Sequence, residues 1–166
     1  MNAKDGGYMG TNYDEENSGH LDSLEVGNEF QDFVCIELSK QNFIIQNINI
    51  KKYQYNVGEN LQGFEIKYDA RCTGDKGTIP TNQLSIEIAE KTKSSNLNYV
   101  PSGIYREDNS WLYIHGNYMM FWIFSKTMLK LLHKSGRYKE HEIPTIKKFY
   151  LPILDADKYC AKKVIL

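Results

Sequence analysis

Two stretches of strict alternation dominate the chain, and the other elements fall into place around them. In Gly63 to Asp69, Phe64, Ile66 and Tyr68 point one way while Glu65, Lys67 and Asp69 point the other, because side chains two apart share one face of a strand. Leu84, Ile86 and Ile88 repeat the apolar face in a second run to Lys91, with Ser85, Glu87, Ala89 and Lys91 opposite. Gly74, Asp75, Gly77 and Pro80 supply turn residues between the runs, which predicts adjacent antiparallel strands.

Upstream, Ser23 has the character of a helix cap. Val26, Phe30, Phe33, Val34 and Leu38 then recur at helical spacing, which predicts a helix ending near Lys40. Phe43 to Tyr55, rich in isoleucine, tyrosine and asparagine, predicts a strand. Downstream, 92–101 is a polar loop and Ser102 to Tyr105 a short bridge. A hairpin follows, with arms Trp111 to His115 and Tyr118 to Phe124 joined at Gly116 and Asn117. Ser125 caps a further helix that buries Met128, Leu129, Leu131 and Leu132 and ends at Lys134 to Gly136. Pro144 and Pro152 leave 142–166 irregular or partly stranded. This order predicts an α+β fold, one central mixed sheet flanked by helices.

Composition alters the picture mainly at the ends. Residues 1–22 are acidic and offer almost nothing to bury, so the expectation is a disordered tail before a single domain spanning 23–166. Net charge of −1 hides a segregation: residues 1–50 carry nine acids against two bases, and 51–166 carry eighteen bases against twelve acids. A basic half of this kind suits a polyanion, although a solvated face explains any single lysine equally well. Apolar runs fall far short of a membrane span, and the start lacks a signal-peptide core, so the expectation is a cytoplasmic protein with no membrane partner. Cys35, Cys72 and Cys160 have no paired spacing and read as reduced thiols.

The polar faces of the two alternating runs hold the candidate chemistry. Half-solvated strands show the same pattern without any function. The aromatic and aliphatic richness of 111–116 and 119–124 instead predicts a covered sheet, in which carboxylates are costly without a cation. Oxygen ligands of this type suit magnesium or manganese, ions that act on phosphate esters.

Glu65-Ile-Lys67-Tyr-Asp69 on one strand and Ile-Glu87-Ile on the next resemble the core of the PD-(D/E)xK nuclease superfamily. A glycine-bearing turn lies between them, and Ser102-Gly103-Ile104, an aromatic strand and a leucine helix follow, as in its phage and prophage members. The resemblance runs from about Ser23 to His133 and implies a restriction-endonuclease-like fold. It also implies Mg²⁺- or Mn²⁺-dependent hydrolysis of DNA, with Asp69 and Glu87, joined by Glu65, as metal ligands. Two departures stand out: no proline precedes Asp69, and Ala89 occupies the usual lysine position. Lys67 is then the candidate catalytic lysine and Lys91 the second choice. Glu59, the one acid between Gln41 and Phe64, is a candidate assistant. Phosphate-backbone contacts fall to Lys91, Lys93, Arg106, Lys126, Lys130 and Lys134, with Trp111, Tyr113 and Tyr99 as candidate stacking rings. The alternative is a catalytically inactive DNA-binding module of the same fold. By analogy with enzymes that cut both strands, the resemblance also points to a homodimer.

Overall fold

A computed structural model describes residues 13–48 and 50–166. The chain is α+β, with a mixed sheet, an antiparallel sheet and helices. A 27-residue helix, α1 (Tyr13–Ser39), opens it. It begins well before the Ser23 cap read from the sequence; the part of the expected tail before Tyr13 lies outside the described residues.

Phe30, Val34 and Leu38 of α1 are buried against Phe64, Ile66, Ile114, Phe121 and Ile123. These apolar residues come from β1 (Phe64–Tyr68), β4 (Leu112–Gly116) and β5 (Met120–Ser125). β1 pairs in parallel with β4, and β4 pairs antiparallel with β5. The last strand, β8 (Lys162–Ile165), closes the order β1-β4-β5-β8. The opposite face of this sheet carries Glu65, Lys67, Tyr113, His115, Trp122 and Phe124. They share it because Glu65 and Lys67 are in register with Tyr113 and His115, which pair with Phe124 and Trp122.

β2 (Gln83–Glu90) belongs to a second, wholly antiparallel sheet with β3 (Val100–Pro101), β6 (Glu140–Ile143) and β7 (Ile146–Pro152), in the order β3-β2-β7-β6. Leu84, Ile86 and Ile88 pack with Phe149, Leu151, Tyr113, Trp122 and Phe124 in one core. Here the structure corrects the sequence reading: β1 and β2 are not paired, and the described strands form two sheets. The intervening 70–82 segment folds back on itself instead of making a hairpin. Asp75 N–H donates to the Ala70 carbonyl, Thr81 N–H to Arg71 and Asn82 N–H to Cys72. The Asp75 carboxylate also accepts from Tyr68 Oη at 3.2 Å and from Tyr118 N at 3.2 Å, which ties the loop to β1 and to the β4–β5 turn.

The expected strand over Phe43 to Tyr55 is likewise replaced. An isolated bridge joins Asn47 to Asn60, and α2 (Lys51–Asn56) follows; position 49 lies outside the described residues. In α3 (Lys126–Lys134) the Ser125 hydroxyl caps the helix, accepting from Met128 N at 3.0 Å. Leu129 and Leu132 face the core, whereas Leu131 is exposed. The C-terminal region is regular, with β6, β7, α4 (Ile153–Tyr159) and β8; Pro144 lies between β6 and β7, and Pro152 ends β7. No helix among the described residues is long and apolar enough to cross a membrane.

Candidate active site

The two alternating strands meet at a cleft of about 320 Å³ although they do not pair. Lys67, Asp69, Ser85, Glu87, Tyr113 and His115 line it, together with Arg71, Lys148 and Tyr150. Asp69 follows β1 directly, and its amide donates to the Gly116 carbonyl at 2.7 Å, which extends the β1–β4 register by one residue. Its side chain therefore stays in phase with Glu65 and Lys67.

Four N–H groups hold the Asp69 carboxylate. Oδ1 accepts from Arg71 N and Cys72 N, both at 3.1 Å, and Oδ2 accepts from Ser85 N at 3.3 Å. The fourth is His115, whose Nε2 lies 3.0 Å from Oδ2. A carboxylate has no proton to give, so Nε2–H is the donor. Burial would push the Asp69 carboxyl up, but the bond and charge of His115 and the backbone donors outweigh it and hold the group below the usual Asp range. His115 itself is 3% exposed and stacks on Tyr113, and its Nδ1 has no hydrogen-bond partner among the described residues.

Glu87 enters from the opposite sheet. The Ser102 hydroxyl donates to its Oε1, and Ser102 N–H donates to the Ile88 carbonyl at 3.2 Å. Close approach here depends on Gly103, which has φ +53°; a Cβ on it would lie 2.3 Å from the Glu87 carbonyl oxygen. Burial pushes the Glu87 carboxyl above the usual Glu range despite the opposing pull of Lys67 and Ser102.

Lys67 is 31% exposed and lies 3.4 Å from Glu59 and 3.2 Å from Glu65. Burial pulls its ammonium down; Glu59 and Glu65 more than reverse this and hold it well above the usual Lys range. Glu59 is anchored in turn, accepting from Ile66 N at 2.9 Å.

Two expected site residues are buried away from the cleft lining. Glu65 is 1% exposed and absent from the cleft lining; its oxygens face Lys67 and Lys126, the latter at 2.7 Å. Enclosed by two ammonium groups, its carboxylate serves as their internal counter-ion, set back from the cleft surface. Lys126 is 3% exposed, lies 3.6 Å from Asp108 and donates to the Ser110 hydroxyl, so it does not reach a surface phosphate. The other candidate phosphate contacts lie outside the cleft lining. Lys91 donates to the Asn96 carbonyl at 3.0 Å and sits over Tyr99; Lys130 sits over Tyr105; Arg106 is 3.7 Å from Asp108; Lys93 and Lys134 are exposed. Of the candidate stacking rings, Tyr113 is 1% exposed, whereas Trp111 is 61% exposed.

The sequence reading missed Arg71, His115, Lys148 and Tyr150 as site residues. Lys148 and Tyr150 come from β7, in register with Glu87 and Ser85. His115 stands beside Lys67 in the parallel pair. Alternation along 146–152 was the available signal, hidden by the flanking prolines.

Among the described residues no group of three or more His, Cys, Asp or Glu side chains is arranged to hold a metal ion. Magnesium needs fewer protein ligands, since one or two carboxylates suffice when water and phosphate oxygens complete its shell. Asp69 and Glu87, two oxygen donors lining one cleft, fit that limited requirement; Glu65 lies outside the lining. Comparison with protein-family models, with curated proteins and with solved structures finds no match to this chain.

Proposed function

We propose that the chain is a metal-dependent nuclease that hydrolyses DNA phosphodiester bonds in this cleft. The observation that carries the reading is the meeting of Asp69 and Glu87, from separate sheets, in one cleft that also holds Lys67, Arg71 and Lys148. Asp69 and Glu87 would hold Mg²⁺ or Mn²⁺, which when bound supplies an acidified water and Lewis-acid stabilisation of phosphate charge. Lys67 holds a fixed positive charge at the cleft wall through Glu59 and Glu65, suited to the charge that develops on the leaving oxygen. The backbone donors and His115 keep Asp69 ionised and oriented, and Ser102 and Gly103 fix Glu87.

The test is incubation of purified protein with supercoiled, branched and single-stranded DNA plus Mg²⁺ or Mn²⁺. Cleavage that disappears in Glu87→Gln and on chelation supports the proposal; intact DNA under every condition rejects it. A second reading, a DNA-binding module without catalysis, draws on Ala89 at the usual lysine position and on the four N–H groups already engaging Asp69. DNA binding that ignores added metal, without cleavage, selects that reading.

A further inference from the structure

The cations lining the cleft are not equivalent. Lys67 is already balanced by Glu59 and Glu65. Lys148 is the cross-strand neighbour of Glu87 but forms no ion pair with it; among the described residues its ammonium is engaged only by the Tyr150 ring, 5.0 Å away. Arg71 is exposed, and although its main chain bonds to Asp69 and Thr81, its guanidinium meets no described acid. The two enter from different parts of the fold, Arg71 from the loop after β1 and Lys148 from β7 beside Glu87. Positive charges not tied up in ion pairs at a polar cleft attract an anion whose oxygens can meet both.

We propose that Lys148 and Arg71 form a two-sided phosphate clamp, gripping the backbone of the bound strand next to the carboxylates. This rests on the nuclease reading and deepens it by assigning the substrate contacts. It moves them from the α3 lysines and from Lys91, Lys93 and Arg106, where the sequence reading placed them, to the cleft itself. Arg71 presents a planar fork suited to two phosphate oxygens, and Lys148 a point charge. Binding through this pair neutralises phosphate without reading bases, so it is salt-dependent and independent of sequence.

The test is fluorescence anisotropy of a labelled single-stranded oligonucleotide with the full chain in EDTA, across a series of salt concentrations. Lys148→Gln and Arg71→Gln are each expected to weaken binding about tenfold and to reduce the slope of log K against log salt by about 0.7. Lys148→Arg is expected to retain most of the affinity. Lys158→Gln removes an exposed lysine on α4 that does not line the cleft, and is expected to leave affinity and slope unchanged. Circular dichroism and melting curves establish that each variant is folded. Wild-type binding that Lys148→Gln and Arg71→Gln leave within about twofold overturns the clamp. It leaves the nuclease reading standing wherever DNA is still cut with Mg²⁺. Wild-type protein that neither binds nor cuts nucleic acid overturns both.

Discussion

Lys126 Nζ lies 2.7 Å from Glu65 Oε2, and both side chains are almost wholly enclosed, at 4% and 2% exposure. The pair joins the first residue of α3 to β1 beneath the cleft, with Asp108 as a further acid at 3.6 Å. Removing one member leaves the other charged without its main partner in a low-dielectric interior. Lys126→Met is therefore expected to destabilise the protein by about 3 kcal/mol, whereas Glu65→Leu with Lys126→Met recovers much of the loss. Urea denaturation of both single variants and the double variant checks this; strictly additive losses would refute the coupling.

Gly103 sets how closely the Ser102 turn approaches Glu87. A β-carbon at φ +53° and 2.3 Å from the Glu87 carbonyl forces the turn away and breaks the Ser102 hydroxyl bond to the carboxylate. Gly103→Ala is expected to destabilise the fold by about 2 kcal/mol and to weaken Mn²⁺ binding. Ser102→Ala, which removes the bond without displacing backbone, is expected to lose about 1 kcal/mol. Thermal melts and calorimetric Mn²⁺ titrations separate the two. Equal effects from both substitutions would mean that the steric argument is wrong.

Local pattern revealed some faces, the Ser125 cap and the β4–β5 turn; it did not reveal partners. Phe30, Val34 and Leu38 announce the buried stripe of α1, Ser125 announces α3, and Asn117 announces the β4–β5 turn, because each signal lies within a few residues. Alternation also put Asp69 in phase with Lys67, and Glu87 opposite Ile86. What alternation cannot encode is which strand lies alongside, so β4 took the edge assigned to β2, and β7 paired with β2 unforeseen. The misplacement of Lys126 has the same origin: charge suggests surface, and only the approach of β1 to α3 makes it internal. Lys51–Asn56 turned helical where composition favoured a strand, with Gln54 Nε2 donating back to the Ile48 carbonyl.

Burial raises the Glu87 carboxyl above the usual Glu range, so in the folded metal-free protein it keeps its proton to higher pH than in the unfolded chain. This group favours the folded state below the unfolded-state pKa of about 4.3, and that contribution is lost as pH rises from there through the folded value. A metal must displace the proton, so Mn²⁺ affinity is expected to increase as pH rises across that interval, with protons released on binding. Isothermal titration in buffers of different ionisation enthalpy measures the released proton directly. Affinity independent of pH through the acidic range would remove Glu87 from the ligand set.

Asp69 tests the opposite shift. Burial opposes its ionisation, but His115 Nε2–H, Ser85 N–H, Arg71 N–H and Cys72 N–H favour the charged form, and the group lies below the usual Asp range. Its contribution to stability is complete above the unfolded-state pKa of about 3.9 and is lost as pH falls through the lower folded value. Asp69→Asn keeps one acceptor for the Arg71 and Cys72 amides. It removes the charge and turns an amide NH₂ toward Ser85 N–H and His115 Nε2–H, which leaves buried donors facing one another. The expected result is a loss of about 2 kcal/mol at neutral pH that shrinks in acid, together with loss of cleavage. Denaturation at pH 7 and near pH 3 measures the first part and a nicking assay the second. A stability difference that stayed constant between the two pH values would show that the Asp69 charge does not support the loop joining the two sheets.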